Sequence, residues 1–334
     1  MSVDKSEPLE AEDPSRGVNL RVPCYDHIDE ERIRKHLEED HFFWLDLEDP
    51  SEEDVMTLAR LFQFHPLALE DVRNFNQRPK LDDYENYAFL VFYGAHDRDA
   101  DDQDLLREMH LFVSGGYLIT LHREPLPVID EQRDKIEGRV LHSEQFLIYR
   151  VLDALTDSFF PVLGAMDDDI DRLEDGVIER PDDELLQEIF ALKRDLVSMR
   201  KVVTPQRDIF ARSIDQLAEL PGLQLDERDY FRDIYDHLIR ISDLIDSYRD
   251  LLSGATDLYL STVANRQNEV MKQLAVVATI FLPLTFITGF FGQNFAWLVR
   301  YGINSEAEFW IFGIGGLVLS CVLLVLWFRR KGWA

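Results

Sequence analysis

The chain has 334 residues and a formal charge of −29, from 64 acidic and 35 basic side chains, which excludes nucleic acid as a natural partner because phosphate binding needs a basic surface. The length allows two or three domains, and the two cysteines, Cys24 and Cys321, provide neither a disulfide framework nor a thiolate metal site. The charge leaves two readings open, a surface kept soluble by repulsion and a surface whose counterpart is a cation.

Residues 1–17 are acidic and lack a basic stretch followed by an apolar core, so they read as a disordered tail and not as a secretory signal. From Val18 to about 125 the pattern is that of a compact α/β domain. Strands are expected at Asn19–Tyr25, His41–Leu47, Tyr87–Ala95, Leu106–Val113 and Tyr117–His122, where Val, Phe, Tyr, Leu and Ile concentrate. Ser51 precedes an acidic first turn and caps a helix reaching Phe62, and the acidic stretch Asp97–Asp104 is a turn between strands. Nothing has the spacing of a nucleotide loop or a nucleophile elbow, so neither a nucleotide site nor an enzyme is expected.

Residues 126–225 read as a helical domain. One helix is expected from Ser143 to about Ile178, Pro181 breaks it, and a second runs to about Leu220. The turn between them carries Asp167, Asp168, Asp169, Asp171, Glu174, Asp175, Glu179, Asp182, Asp183 and Glu184. Such a run is either a solvated face or a collector of cations. Pro221 and Gly222 break the pattern again, and from 226 to 291 a single helix of about 65 residues, roughly 100 Å long, is expected to enter a membrane.

Between Lys272 and Arg300 there is no charged residue or histidine, and Leu274–Phe291 is long enough to cross a hydrocarbon core of about 30 Å. Met271, Ala278, Thr285 and Gly292 recur every seven residues, as do Ala275, Leu282 and Gly289. That seam suits either a helix packed around a shared axis or a lipid anchor whose small residues let helices approach. A loop at 292–308 follows, with Gly292, Gln293 and Asn294 at its start, then a second uncharged run at 309–328 and a basic tail at 329–334. The excess of Lys and Arg in that tail puts both termini in the cytoplasm. Gly292 and Asn294 serve equally as a helix terminator or as an oxygen-bearing pore mouth. His65 and His237 are open to reading as transition-metal ligands, but isolated histidines read first as structural or solvent-facing.

The run NEVMKQLAVVATIFLPLTFITGFFGQNF at 268–295 is accompanied by HPLALED at 65–71, QRPKLDDYENY at 77–87, ERP at 179–181 and YFRDIYDH at 230–237. Together they resemble the CorA family of divalent-cation channels, with Gln293 where the family's Gly-Met-Asn mouth has Met. The resemblance implies an α+β membrane protein, a funnel-shaped homopentamer with a cytoplasmic α/β domain, a long helical stalk and two C-terminal membrane helices. It implies a Mg²⁺ channel, with Co²⁺ or Ni²⁺ as further cargo, in the inner or plasma membrane. Gly292, Gln293 and Asn294 would form the selectivity filter, and Asn268, Met271, Leu274, Leu282, Thr285 and Gly289 would line the pore. Asp71 and Asp233 match the pair that binds a regulatory divalent ion between neighbouring subunits, with Glu70 and Asp153 as outer participants. Lys272, Arg329, Arg330 and Lys331 match a basic ring at the pore exit. Family members with Gly-Ile-Asn at the mouth keep a Zn²⁺ transporter open as the alternative, and a two-span sensor that binds metal without moving it is the rival of another class.

Overall fold

The computed structural model describes residues 20–96, 104–137, 139–141, 143–218, 228–293 and 305–331; most of the expected acidic turn at 97–104, and Asn294, lie outside them. The chain falls into two units, Met1–Asp175 with Glu184–Ala255, and Gly176–Asp183 with Thr256–Ala334.

The first unit opens with β1 (Leu20–Arg21) and β2 (Cys24–Tyr25). Asn19–Tyr25 is therefore not one strand. Pro23 has no N–H to give a ladder and separates the two pieces, so that β1 pairs with β8 (Val140–Leu141) while β2 joins the main sheet. Next come α1 (Glu30–Glu38), capped by the Asp29 carboxylate, and β3 (Phe43–Glu48). In α2 (Glu52–Phe62) the expected Ser51 cap is reciprocal. The Ser51 hydroxyl accepts from the Asp54 amide, and the Asp54 carboxylate accepts from the Ser51 amide. Then follow α3 (Pro66–Arg73), with Pro66 in its first turn, β4 (Lys80–Tyr84), β5 (Tyr87–Ala95), β6 (Leu106–Val113), β7 (Tyr117–His122) and α4 (Pro127–Ile136).

Among the described residues the main sheet has six strands in the order β2-β3-β7-β6-β5-β4; β2, β3 and β7 run parallel and the remaining pairings are antiparallel. Every residue of β5 and of β7 is buried, which is why both read as continuous apolar runs and not as alternating ones.

Ser143–Ile178 is not one helix. It divides into α5 (Glu144–Asp157) and α6 (Phe159–Glu179) at Ser158. Pro161 is the cause, because it has no N–H for the Asp157 carbonyl four residues earlier and its ring crowds that carbonyl. The interruption serves the sheet. Pairing between β4 and β5 ends at Lys80 opposite Val91, and beyond it the Ala95 amide donates to Ser158 Oγ at 2.7 Å. The Tyr93 amide donates to Gln206 Oε1 at 2.8 Å, from the buried face of α7 (Asp183–Ala218). Gly94 lies between these two amides, and a Cβ there would stand 3.0 Å from both Leu155 Cδ2 and Ser158 Oγ. Two side chains thus complete the hydrogen bonding of β5 beyond the end of β4 and seat α5 against it.

α8 (Arg228–Gly292) is a single helix of 65 residues, as the absence of proline before Pro283 leads one to expect. The part of it in the second unit is followed by α9 (Glu306–Glu308), a π-helical turn at Phe309–Ile314 and α10 (Gly315–Arg330). Among the described residues one helix, Asp229–Phe290, holds a stretch long and apolar enough to cross a membrane, and none of that stretch is buried.

Replacing Ser158 by Ala leaves the Ala95 amide buried without an acceptor, at a cost of about 1–3 kcal/mol. The expected outcome is a lower thermal unfolding midpoint for the full-length protein in detergent; an unchanged midpoint would refute this role for the hydroxyl.

Candidate metal centre and membrane helix

α5 and α8 each carry acidic groups at a spacing of four. Asp153 and Asp157 fall on one face of α5, and Asp233 and His237 on one face of α8. Packing brings the two faces together. His237 Nδ1 lies 3.1 Å from Asp157 Oδ1 and 3.8 Å from Asp153 Oδ1, while its Nε2 lies 3.8 Å from Asp233 Oδ1. One ligand atom from each of Asp153, Asp157 and His237 can be chosen so that all lie within 4.8 Å of one another. Asp233 is held at the edge of the group by the Tyr149 hydroxyl, which donates to its Oδ2 at 3.1 Å.

Carboxylates this close oppose one another. Burial pushes the Asp153 pKa up to about 6, with the neighbouring Asp157 adding to the shift and Arg150 and His237 only partly offsetting it. Asp157 is raised as well, again first by burial. Asp153 Oδ1 is buried and makes no hydrogen bond. A site with a surplus of partly desolvated carboxylate oxygen and one imidazole suits a divalent cation: oxygen for Mg²⁺, with the nitrogen adding affinity for Co²⁺, Ni²⁺ or Zn²⁺.

The histidine expected to be isolated is thus among carboxylates. His237, Asp157 and Tyr149 were not singled out as site residues from sequence, although the two spacings of four were there to be read. Asp71 is placed differently. It belongs to α3 and forms an ion pair with Lys80 Nζ at 2.8 Å, and the neighbouring Glu70 is exposed. No contact within the chain joins Asp71 to the α5–α8 group among the described residues.

On α8 the positions Asn268, Met271, Leu274, Leu282, Thr285 and Gly289 are all exposed, as are Gly292 and Gln293 at its end. The Thr285 hydroxyl donates to the Phe281 carbonyl at 2.9 Å, and Thr288 and Thr279 donate likewise to Leu284 and Ala275. With its proton spent inside the helix, each oxygen can only accept from a further partner, as a cation's water shell requires. Lys272 is half-buried on α8, and Arg329, Arg330 and Lys331 are exposed where α10 ends, favourably placed for the negative end of its dipole.

The raised Asp153 pKa fixes the sign of a pH effect. Between about 4 and about 6 the folded chain holds the proton more tightly than the unfolded chain, so stability falls as pH rises through that window and the penalty is complete above it. In chelator at pH 7, Asp153→Asn is expected to stabilise the protein by about 3 kcal/mol, and the gain should vanish below about pH 4. Thermal melts across that range measure it.

A sequence profile described as CorA-like Mg²⁺ transporter protein matches residues 39–330. The chain is 34% identical over 298 residues to the cobalt/magnesium transport protein CorA of Thermotoga maritima, a match covering 87% of this chain and 83% of that one. It is 32% identical to YfjQ of Bacillus subtilis, covering 87% and 90%. In fold it matches the solved CorA magnesium transporter of Methanocaldococcus jannaschii with a TM-score of 0.75 at 24% identity, over 87% of this chain and 91% of that one. The matched stretch carries Asp71, Asp153, Asp233, His237 and the whole of the exposed apolar helix, and the chain belongs to the CorA-like Mg²⁺ transporter family.

Proposed function

We propose that this protein is a homopentameric channel that admits Mg²⁺, and also Co²⁺ or Ni²⁺, across the cell membrane, and that divalent ions bound to its cytoplasmic carboxylates close it. The observation that carries the reading is an apolar stretch at the end of α8 with no covering side chains of its own, in a chain of this family. Five copies around one axis would place the seam from Met271 to Gly292 inward and leave the outer face to lipid. The run at 309–328 is the second crossing, and with Arg329, Arg330 and Lys331 behind it both termini are cytoplasmic.

In this reading Gly292, Gln293 and Asn294 form the mouth. Mg²⁺ dehydrates reluctantly, so amide and carbonyl oxygens that accept from its water shell select it with less penalty than direct ligation. Below the mouth, Thr285 supplies an acceptor, and Leu282, Leu274 and Met271 form apolar constrictions that empty of water when narrow. No nucleotide is needed. A membrane potential of 100 mV favours entry of a divalent ion by about 4.6 kcal/mol, twice the figure for a unit charge.

Closure rests on charge. Two bare carboxylates about 4 Å apart repel by roughly 4 kcal/mol at an effective dielectric of 20. A divalent ion supplies the two positive charges that reverse that sign. Asp153, Asp157, Asp233 and His237 would hold it within one subunit, and Asp71 and Glu70 of a neighbouring copy would close the ring. Summed over several interfaces, the difference exceeds the roughly 5.5 kcal/mol that swings a two-state gate from nearly shut to nearly open. A Zn²⁺ transporter is the alternative, favoured only by the imidazole of His237.

In proteoliposomes, wild type should take up Mg²⁺, and Asn294→Ala should lose selectivity or at least about tenfold in flux, equivalent to 1.4 kcal/mol. Absent wild-type flux sinks the channel reading. Asp233→Ala and His237→Ala should keep flux yet require more internal Mg²⁺ to close, by about tenfold for the carboxylate. Uptake that closes at the wild-type concentration in both variants would remove the α5–α8 group from the gate. Competition between Mg²⁺ and Zn²⁺ separates the two cargo readings.

A further inference from the structure

The Asp71 carboxylate already has a cation. Lys80 Nζ lies 2.8 Å from Asp71 Oδ2 and 2.6 Å from Asp82 Oδ2, and donates to both. The arrangement follows from the strand. Lys80 and Asp82 are two residues apart on β4, so their side chains leave the same face, and α3 brings Asp71 up from the other side. The Lys80 side chain is about one-third exposed, and its ammonium sits 5.5 Å from the centre of the Phe89 ring. It is therefore neither locked in a dry core nor free on the surface. Its four-carbon stem lets it shift between two carboxylates that are both within reach.

We propose that Lys80 is a tethered competitor for the divalent ion at Asp71, with Asp82 as the acceptor it retains when that ion arrives. The inference rests on Asp71 being a regulatory ligand, as set out above. When the ion is absent, the ammonium holds the Asp71 charge in check. When it arrives, Lys80 gives up Asp71 and keeps Asp82, so no ammonium is left unpaired and no bare carboxylate is created. The exchange sets the affinity of the regulatory site. A ligand carboxylate with no resident cation would hold the divalent ion more tightly, and a Lys80 deprived of Asp82 would cling to Asp71 and weaken binding. A merely structural ion pair predicts no such opposition, because removing either partner would then only loosen the fold.

The test uses the full-length protein in detergent, with the thermal unfolding midpoint followed against free Mg²⁺ and, separately, Co²⁺. Lys80→Met should lower the half-saturating concentration by about tenfold, and Lys80→Arg, which keeps the charge, should stay within about twofold of wild type. Asp82→Asn should raise it severalfold in the wild-type background and much less beside Lys80→Met, since the coupling runs through the ammonium. If Lys80→Met leaves the half-saturating concentration unchanged or raises it, while Asp71→Asn abolishes the response, the competitor is wrong and the regulatory site stands. If Asp71→Asn leaves the response intact, the regulatory reading of Asp71 fails and the competitor fails with it.

Discussion

Negative charge held closer together than its own repulsion favours is the constraint on which this molecule turns. Asp153 is buried beside Asp157 and within 4 Å of a histidine that also approaches Asp157 and Asp233. Such a group is stable only with a counter-charge, and the chain supplies too little of it: Arg150 stands 3.8 Å from Asp153 Oδ2, and its other terminal nitrogen is engaged by Gln132. That unmet electrostatic demand, between α5 and α8, is one that a cation could meet. The same logic at Asp71 has been answered differently, by a lysine on the adjacent strand.

Those demands can be made only on a stiff support. β5, packed under α5, is buried along its whole length, and this penultimate strand finishes its hydrogen bonding on Ser158 and Gln206 and not on another strand. Elsewhere the same economy recurs. Asp46 is buried, yet its two oxygens are taken by the Thr120 hydroxyl and the Arg133 guanidinium, and Thr120 in turn accepts from the Trp44 indole at 2.9 Å. Asp46, buried in the sheet, has both oxygens partnered, whereas the buried Asp153 Oδ1 on the α5 face makes no hydrogen bond.

α8 carries both kinds of chemistry in one unbroken helix. Asp233 and His237 lie near its start, and the apolar seam from Met271 to Gly289 near its end. Pro283 removes one intrahelical donor without ending the helix, and the threonines around it return their hydroxyl protons to the backbone, so the segment remains compatible with an apolar surrounding.

How much of this was legible from the residues alone follows from the range of the interaction involved. Local periodicity and stop signals act within a few residues, and they located β5, β6 and β7, the Ser51 cap, the turn at Pro181 and the whole of α8 without any tertiary information. They also supplied the motifs that pointed to the family. What they left unread was short or broken by context: α1, α3 and β4 carry too few periodic positions to stand out, and the divisions at Pro23 and Ser158 became evident only when each piece found a different partner. The centre at Asp153, Asp157 and His237 depends on side chains about 80 residues apart. Only the packing of α5 against α8 could decide that distance, because an imidazole's identity as ligand or bystander is set by what stands within 4 Å of it, and a linear chain does not contain that number.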